Sequence, residues 1–269
     1  MVDHPLYDDD DVGLSLPERG SEVLQSERTS TVPHDDALES NREADDSGVK
    51  LWYPDADRSV PMVVRGNYAQ GYPVGAVVHF TAGRSERGDR DAEQTMINGR
   101  SDGYLYFCMS ATGKIYQPAP LNKWGSHCGD SSYPGLGTSL ANKLTGIEIC
   151  RAGKCKKEPQ GFAPWWNDEY PLGSPKRTFY SEAEMRKVSK QENVTEAGYY
   201  HAYTPEQEAS LQKLLLWLHL NNPAVFKIDN IVGHDEISPK RKNDPGGALS
   251  EFMKNLRERI RRMAAEAVV

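Results

Sequence analysis

Long apolar runs are missing from this chain. Nothing in its 269 residues approaches the roughly 18 to 20 consecutive apolar positions that a membrane-crossing helix needs, so no span is expected. The opening thirty residues also lack the basic start and apolar run of a secretory signal, and no Sec leader is expected. Cysteine is scarce. Cys108, Cys128, Cys150 and Cys155 are too few and too scattered for a disulfide framework in a chain of this size. Repeats and collagen-like periodicity are absent as well. What remains is 38% hydrophobic and 26% charged residues, enough apolar matter for a real core in one large or two small domains.

Charge is unevenly placed. Residues 1–48 carry 14 acids against 3 basic residues, a net of −11, and the remaining 221 residues carry 29 basic and 25 acidic residues, a net of +4. The acidic stretch has few aromatics and no sustained apolar period, so it cannot offset the entropy of ordering, and a disordered leader is expected up to Gly48. Its role is either that of a solubilising tail or that of a targeting and docking segment. An acidic leader argues against nucleic acid as the partner of the whole chain, and a mildly basic body suits an anionic polymer.

From Val49 the texture turns to short β-type runs between glycines. Candidate strands are Gly75 to Phe80, Tyr104 to Met109, Lys114 to Gln117, Leu144 to Cys150 and Lys227 to Gly233. Ser110 to Gly113 reads as a hairpin turn, making the second and third antiparallel neighbours. A helix is expected over Asp91 to Asn98. A second begins where Thr204, Pro205 and Gln207 combine a cap, a first-turn proline and a capping box, and it stops at Asn221, Asn222 and Pro223. A third is expected from about Ala248, with Phe252, Leu256, Ile260 and Met263 on its apolar face. Irregular alternation of these elements predicts an α/β (α+β mixed) fold, a central mixed sheet covered by helices. Residues 151–201, rich in proline, glycine, lysine and aromatics such as Trp165, Trp166 and Tyr170, read as an elaborated loop or small subdomain. They form either a substrate or partner wall or a loop packed by its own rings. The RAGK spacer between Cys150 and Cys155 could close a disulfide, and free thiols are the alternative.

Several polar residues sit where a strand would bury or aim them. His79 interrupts the apolar run VVHF beside a turn, where a lone histidine is more often core than ligand. His234 ends another β-type run, and Asp244 follows ten residues later in a loop. Two imidazoles and a carboxylate are a three-ligand zinc set that leaves a fourth position for water. Glu148 breaks the strand GIEIC between Ile147 and Ile149, and Lys242 lies two residues before Asp244. A water-activating metal, a proton acceptor and a cation beside a developing oxyanion are the parts amide hydrolysis needs. A cysteine hydrolase on Cys128 and His127 is disfavoured, because adjacent residues on an extended chain face opposite ways and no orienting third group is evident.

The segments VVHFTAG, YLYFCMSATGKIYQ, NKWGSHCG, TGIEIC and GHDEISPKRKNDPGG, in that order, resemble zinc-dependent N-acetylmuramoyl-L-alanine amidases of the type 2 family, which is related to peptidoglycan recognition proteins. The resemblance covers residues 60 to 150 and 200 to 262, and the last block is its most specific part. It implies Zn2+ on His79, His234 and Asp244, Glu148 as general base and then acid, and Lys242 as oxyanion stabiliser. It places His127, Tyr106 and Trp124 along the substrate cleft, with Tyr106 departing from the histidine or asparagine common at its position. The substrate so implied is peptidoglycan or a muropeptide, cut between N-acetylmuramic acid and L-alanine. An antibacterial lytic enzyme, toxin or endolysin, reaching the periplasm or cell wall without Sec and accompanied by a delivery or immunity protein, is the role expected. A cytosolic muropeptide-recycling amidase and a non-catalytic peptidoglycan receptor are the alternatives.

Overall fold

The computed structural model describes residues 42–191 and 194–267. The expected leader therefore lies outside the described residues up to position 41. Arg42 to Gly48 are described and mostly exposed, but tied to the body: the Trp52 indole donates to Arg42 O at 3.2 Å, and Leu51 N donates to Glu43 O at 2.9 Å.

The strands that matter for function are β1 (Gly75–Phe80), β2 (Phe107–Met109), β3 (Ile115–Tyr116), β4 (Leu144–Ile149), β5 (Lys154–Glu158), β6 (Gly161–Ala163), β7 (Met185–Val188), β8 (Gly198–His201) and β9 (Ile231–Gly233). The helices are α1 (Asp89–Ser101), α2 (Pro205–Asn221), the single turn α3 (His234–Ile237) and α4 (Met253–Ala267). Five strands form the central sheet in the order β9-β1-β4-β2-β3, with only the β2–β3 pair antiparallel. The expected mixed sheet covered by helices is thus present. Among the described residues no helix is long and apolar enough to cross a membrane.

Strand alternation gives the sheet two different faces. Val78 and Phe80 of β1 and Ile147 and Ile149 of β4 join the main core, which α2 and α4 cover with Leu211, Leu214, Leu215, Leu218, Leu256 and Ile260. The intervening residues, His79 on β1 and Glu148 on β4, pair directly across the parallel ladder and belong to the opposite face. A one-residue slip of either strand would exchange chemistry for core. Helix α2 forms where expected because Thr204 accepts from Gln207 N at 3.0 Å while the Gln207 side chain accepts from Thr204 N at 3.0 Å.

Several boundaries differ from expectation. Only Phe107–Met109 of the second run joins the ladder, because Val63 N bonds Tyr104 O and Leu105 N bonds Ser126 O instead. Residues 228–230 form a 3₁₀ turn before β9, with Asn230 N donating to Lys227 O at 3.0 Å. The last helix begins at Met253, since Gly246–Ala248 makes its own 3₁₀ turn. Its buried stripe is Met253, Leu256, Ile260 and Ala264, with Phe252 left just before it. Residues 151–201 prove to be a small subdomain: an antiparallel sheet in the order β6-β5-β8-β7 over its own cluster of Cys155, Phe162, Trp166 and Tyr180. The Cys150–Cys155 disulfide is not formed. All four cysteines are free, with the Cys150 sulfur 3.9 Å from that of Cys108 and the Cys155 thiol directed to Gly153 O.

Candidate active site

The parallel strands deliver their carboxyl ends to one place, where open α/β sheets form ligand crevices. His79 arrives near the end of β1, Glu148 beside it near the end of β4, and His234 opens α3 immediately after β9. Asp244 is brought back by its own loop: Asp235 N donates to Asp244 O at 2.8 Å, and Lys242 N donates to Ser238 O at 3.0 Å. Helix α4 fixes this corner through Arg257, which donates to Ile231 O at 2.8 Å and to both Glu236 carboxylate oxygens.

Three potential ligand atoms converge. His79 Nδ1 lies 3.0 Å from His234 Nδ1 and 2.8 Å from Asp244 Oδ2, and His234 Nδ1 lies 3.1 Å from the same oxygen. Bonds of about 2.0 to 2.1 Å to a tetrahedral zinc give ligand edges only slightly longer than these. All three residues are buried, and Asp244 is the single carboxylate among them.

The hydrogen bonds behind the triad suit a metal site. His234 Nε2 is 3.2 Å from Cys128 O, so it donates there and leaves its Nδ1 lone pair inward. His127 Nε2 donates to Leu144 O at 2.9 Å; burial opposes a charge on this ring, yet the neighbouring Cys128 raises it above the ordinary histidine value. His127 Nδ1 is 3.3 Å from His79 Nε2, and where His127 is neutral it accepts from His79 Nε2, leaving the His79 Nδ1 lone pair inward as well. Carbonyl and imidazole partners of this kind orient metal-binding histidines. Burial, reinforced by His234, pushes His79 down to about 3, so it is the neutral imidazole that a metal requires. Burial alone would raise Asp244, but the two imidazoles outweigh it and hold the carboxyl well below its ordinary range.

Glu148 is only partly buried as a residue, yet its Oε2 is fully buried and accepts no hydrogen bond from a described residue. Burial first, then the charge of Asp244, pushes it up to about 8. His127 and, less strongly, the Lys242 charge oppose that rise. Lys242 and Glu148 both line a cleft of about 440 Å³ that also contains His79, His234 and Asp244. Among the described residues no carboxylate forms an ion pair with the Lys242 ammonium.

His127 and Tyr106 both line this cleft, but each has structural ties. The Tyr106 hydroxyl donates to Thr95 O at 3.1 Å. The His127 ring lies over Gly146, where any Cβ would collide with it. Trp124 lies elsewhere. It pairs with Gly66 in a two-residue ribbon, its indole covering that glycine, and it stands outside the lining of the cleft. Cys128, the nucleophile of the cysteine-hydrolase alternative, is buried; burial opposes its ionisation, but the neighbouring His127, which also contacts His79 and Leu144 O, holds the thiol below its ordinary range.

Other residues were not singled out from sequence. Thr95, Asn98 and Gly99 of α1 and Asp102 just after it line the cleft, and their three- and four-residue spacing was a readable stripe. Tyr203 donates to His79 O at 2.9 Å, and Arg241 donates to Cys128 O and Asp130 O, bracing the loop that holds His234. No sequence period marks either contact.

The His79 contact makes His127→Ala informative. Zinc affinity should fall about 10- to 100-fold, the usual cost of losing a partner behind a metal-bound histidine. Competition of the purified variant and the parent protein against a chromophoric chelator checks this; equal affinities would show that His127 does not orient His79.

The sequence profile of the N-acetylmuramoyl-L-alanine amidase family (Amidase_2) matches residues 69–247, and the chain belongs to that family. No curated protein matches. Similar solved structures include a selenomethionine derivative of AmpD, at 19% identity and a TM-score of 0.45, covering 78% of this chain and 96% of AmpD. AmiD from E. coli, solved with the substrate anhydro-N-acetylmuramic acid-L-Ala-D-gamma-Glu-L-Lys, is 18% identical with a TM-score of 0.44, covering 80% of this chain and 64% of AmiD. The endolysin LysCS from Clostridium intestinale is 18% identical with a TM-score of 0.39, covering 76% of this chain and 99% of LysCS.

Proposed function

We propose that this chain is a zinc-dependent hydrolase of the amide bond between N-acetylmuramic acid and the L-alanine of the stem peptide. The observation that carries this reading is the convergence of His79, His234 and Asp244, with the His234 Nδ1 lone pair turned inward, beside an unpartnered Glu148 oxygen. Zinc held by those three side chains supplies Lewis acidity, making water a better nucleophile near neutral pH and polarising the carbonyl it touches. Glu148, at the adjacent register position to His79, accepts the proton of the attacking water. Its buried oxygen and raised pKa suit it to hold that proton and return it to the departing L-alanine amine. Lys242 places a positive charge at the cleft for the developing oxyanion. Asp244 keeps its negative charge and, with the imidazole pair, fixes the ligand triangle.

The biological role we assign is lysis of intact cell wall by an antibacterial enzyme, toxin or endolysin, delivered without Sec and matched by a delivery or inhibitor protein. Two features support this role over recycling of soluble muropeptides: the subdomain at 151–201 and the net charge of −11 over residues 1–48. Digestion of intact sacculi and, separately, soluble anhydromuropeptides, with mass analysis of products, tests both levels. The expected result is stem peptide freed at its L-alanine amine, faster from sacculi. Cleavage elsewhere would overturn the reaction, and exclusive use of soluble muropeptides would overturn the role.

A further inference from the structure

The cations that line the cleft are Arg84, Arg241 and Lys242. Arg241 is tied to its own loop, donating to Cys128 O, Asp130 O and Ser238 Oγ. Lys242 stands at the reaction centre proposed above. Arg84 has no part in that chemistry, and among the described residues no carboxylate pairs with its exposed guanidinium. The substrate proposed above carries its negative charge on one side only. On the glycan side the muramic carboxyl is taken up in the amide that is cut, and the N-acetylated sugars are neutral. The free carboxylates belong to the stem peptide. The first of them beyond the cut amide is the α-carboxylate of the γ-linked D-glutamate, one residue after L-alanine.

We propose that Arg84 is a specificity-determining residue that holds this α-carboxylate, so that the enzyme prefers stem peptides with a free D-glutamate α-carboxylate over those in which it is amidated. This rests on the amidase reading and adds the group that reads the peptide. It is independent of which wall takes the sugar, because a neutral glycan offers a guanidinium no counter-charge. Placement supports it first. Arg84 follows His79 by five residues, and the turn between them is strained: Ala82 has φ 49°, in the left-handed region that a side chain disfavours. Neighbours hold that turn, since Thr81 Oγ1 accepts from Gly83 N at 3.3 Å and Ala82 O accepts from the Trp165 indole at 2.7 Å. Strain maintained in this way clusters where chains meet ligands.

Orientation supports it second. Arg84 Nη1 donates to Thr178 Oγ1 at 2.8 Å and Nη2 to Lys176 O at 3.1 Å, and the guanidinium lies 5.4 Å from the Trp166 ring centre. Asn167 fixes Thr178 in turn, accepting from its N at 2.8 Å and donating to its O at 2.6 Å. The groups that Arg84 touches here, a hydroxyl, a carbonyl and a ring, are neutral, so they aim the charge without cancelling it. Its Nε–H and one hydrogen on each terminal nitrogen have no partner among the described residues and can take a carboxylate through charge-assisted bonds. A side chain already held in place loses little freedom when ligand arrives.

An arginine that only ties the 151–201 subdomain to the end of β1 would make the same neutral contacts, so the test varies the charge of the ligand. L-Alanyl-γ-D-glutamyl-L-lysinamide and its D-isoglutaminyl counterpart differ in that one carboxylate. Calorimetric titration of each into the full-length protein reads the subsite without turnover: the acid is expected to bind about fivefold or more tighter, a modest factor because the guanidinium is exposed. The N-acetylmuramoyl derivatives of the same two peptides should show the same preference in kcat/KM. Arg84→Gln is expected to treat acid and amide alike, and Arg84→Lys to keep part of the preference, since it retains the charge and loses the fork. A purely structural arginine would weaken the use of both ligands together and leave their ratio unchanged. A parent protein that treats acid and amide alike, including one that binds neither peptide, overturns the assignment, as does a ratio unchanged in Arg84→Gln. If the acid binds through Arg84 but neither muropeptide is cut, the subsite stands and the amidase reading falls.

Discussion

Glu148→Gln should bind metal as the parent protein does and lose about 10²- to 10⁴-fold in turnover, the range supplied by a positioned general base. The amide matches the carboxylate in shape and cannot take a proton from water. Zinc content by mass spectrometry and amine release from sacculi, measured on the same preparation, check it. Retained activity would remove Glu148 from the role of base, and lost zinc would make it a structural support of the triad. The same variant gives a stability signature in metal-free protein. Burial and the charge of Asp244 push Glu148 up to about 8, against 4.5 for an ordinary glutamate. Between those values the folded protein keeps a proton that the unfolded chain has released. The stability linked to that proton is complete below the unfolded value and is lost as pH rises through the folded one. A glutamine has no such loss, so the Tm of the metal-free variant should gain on that of the metal-free parent from about pH 5 to pH 8. A constant Tm difference would contradict the burial of an unpartnered carboxyl.

Asp244→Asn should reduce activity at least about a thousandfold, equivalent to ~4 kcal/mol of barrier. Here the reason is electrostatic. Asp244 supplies the only negative charge of the ligand triangle, at 2.8 Å from one imidazole and 3.1 Å from the other. An amide at the same place keeps the shape and offers a weak neutral oxygen, so zinc should be absent from the purified variant. Loss of activity with zinc retained at one per chain would move Asp244 from ligand to substrate contact.

Much of the site was legible because strands punish polar residues. His79 within VVHF and Glu148 within GIEIC stand at positions whose neighbours enter the core, and alternation turns them to the other face together. The loop from His234 to Asp244 was legible by resemblance, since a histidine and an aspartate ten apart are too common for the spacing alone to mark a site. The less legible parts depend on side chains meeting across long sequence separations. Neither the bond from Tyr203 to His79 O nor the chain from Leu144 O through His127 to His79 leaves a local pattern. Trp124 lies in a motif-bearing run, yet it pairs with Gly66, covers that glycine with its indole and is not among the residues lining the cleft. Strand ends shifted wherever backbone groups found partners outside the sheet, as at Tyr104 and Leu105. The subdomain at 151–201 hid its sheet because its short strands, three to five residues each, are separated by proline- and glycine-rich turns.

The most direct test strips the parent protein with a chelator, removes the chelator, and follows amine release from peptidoglycan as zinc is added back. Activity should be absent from the stripped protein and return in full at one zinc per chain, whereas amine release at the original rate by protein shown to contain no metal would contradict the mechanism at its root.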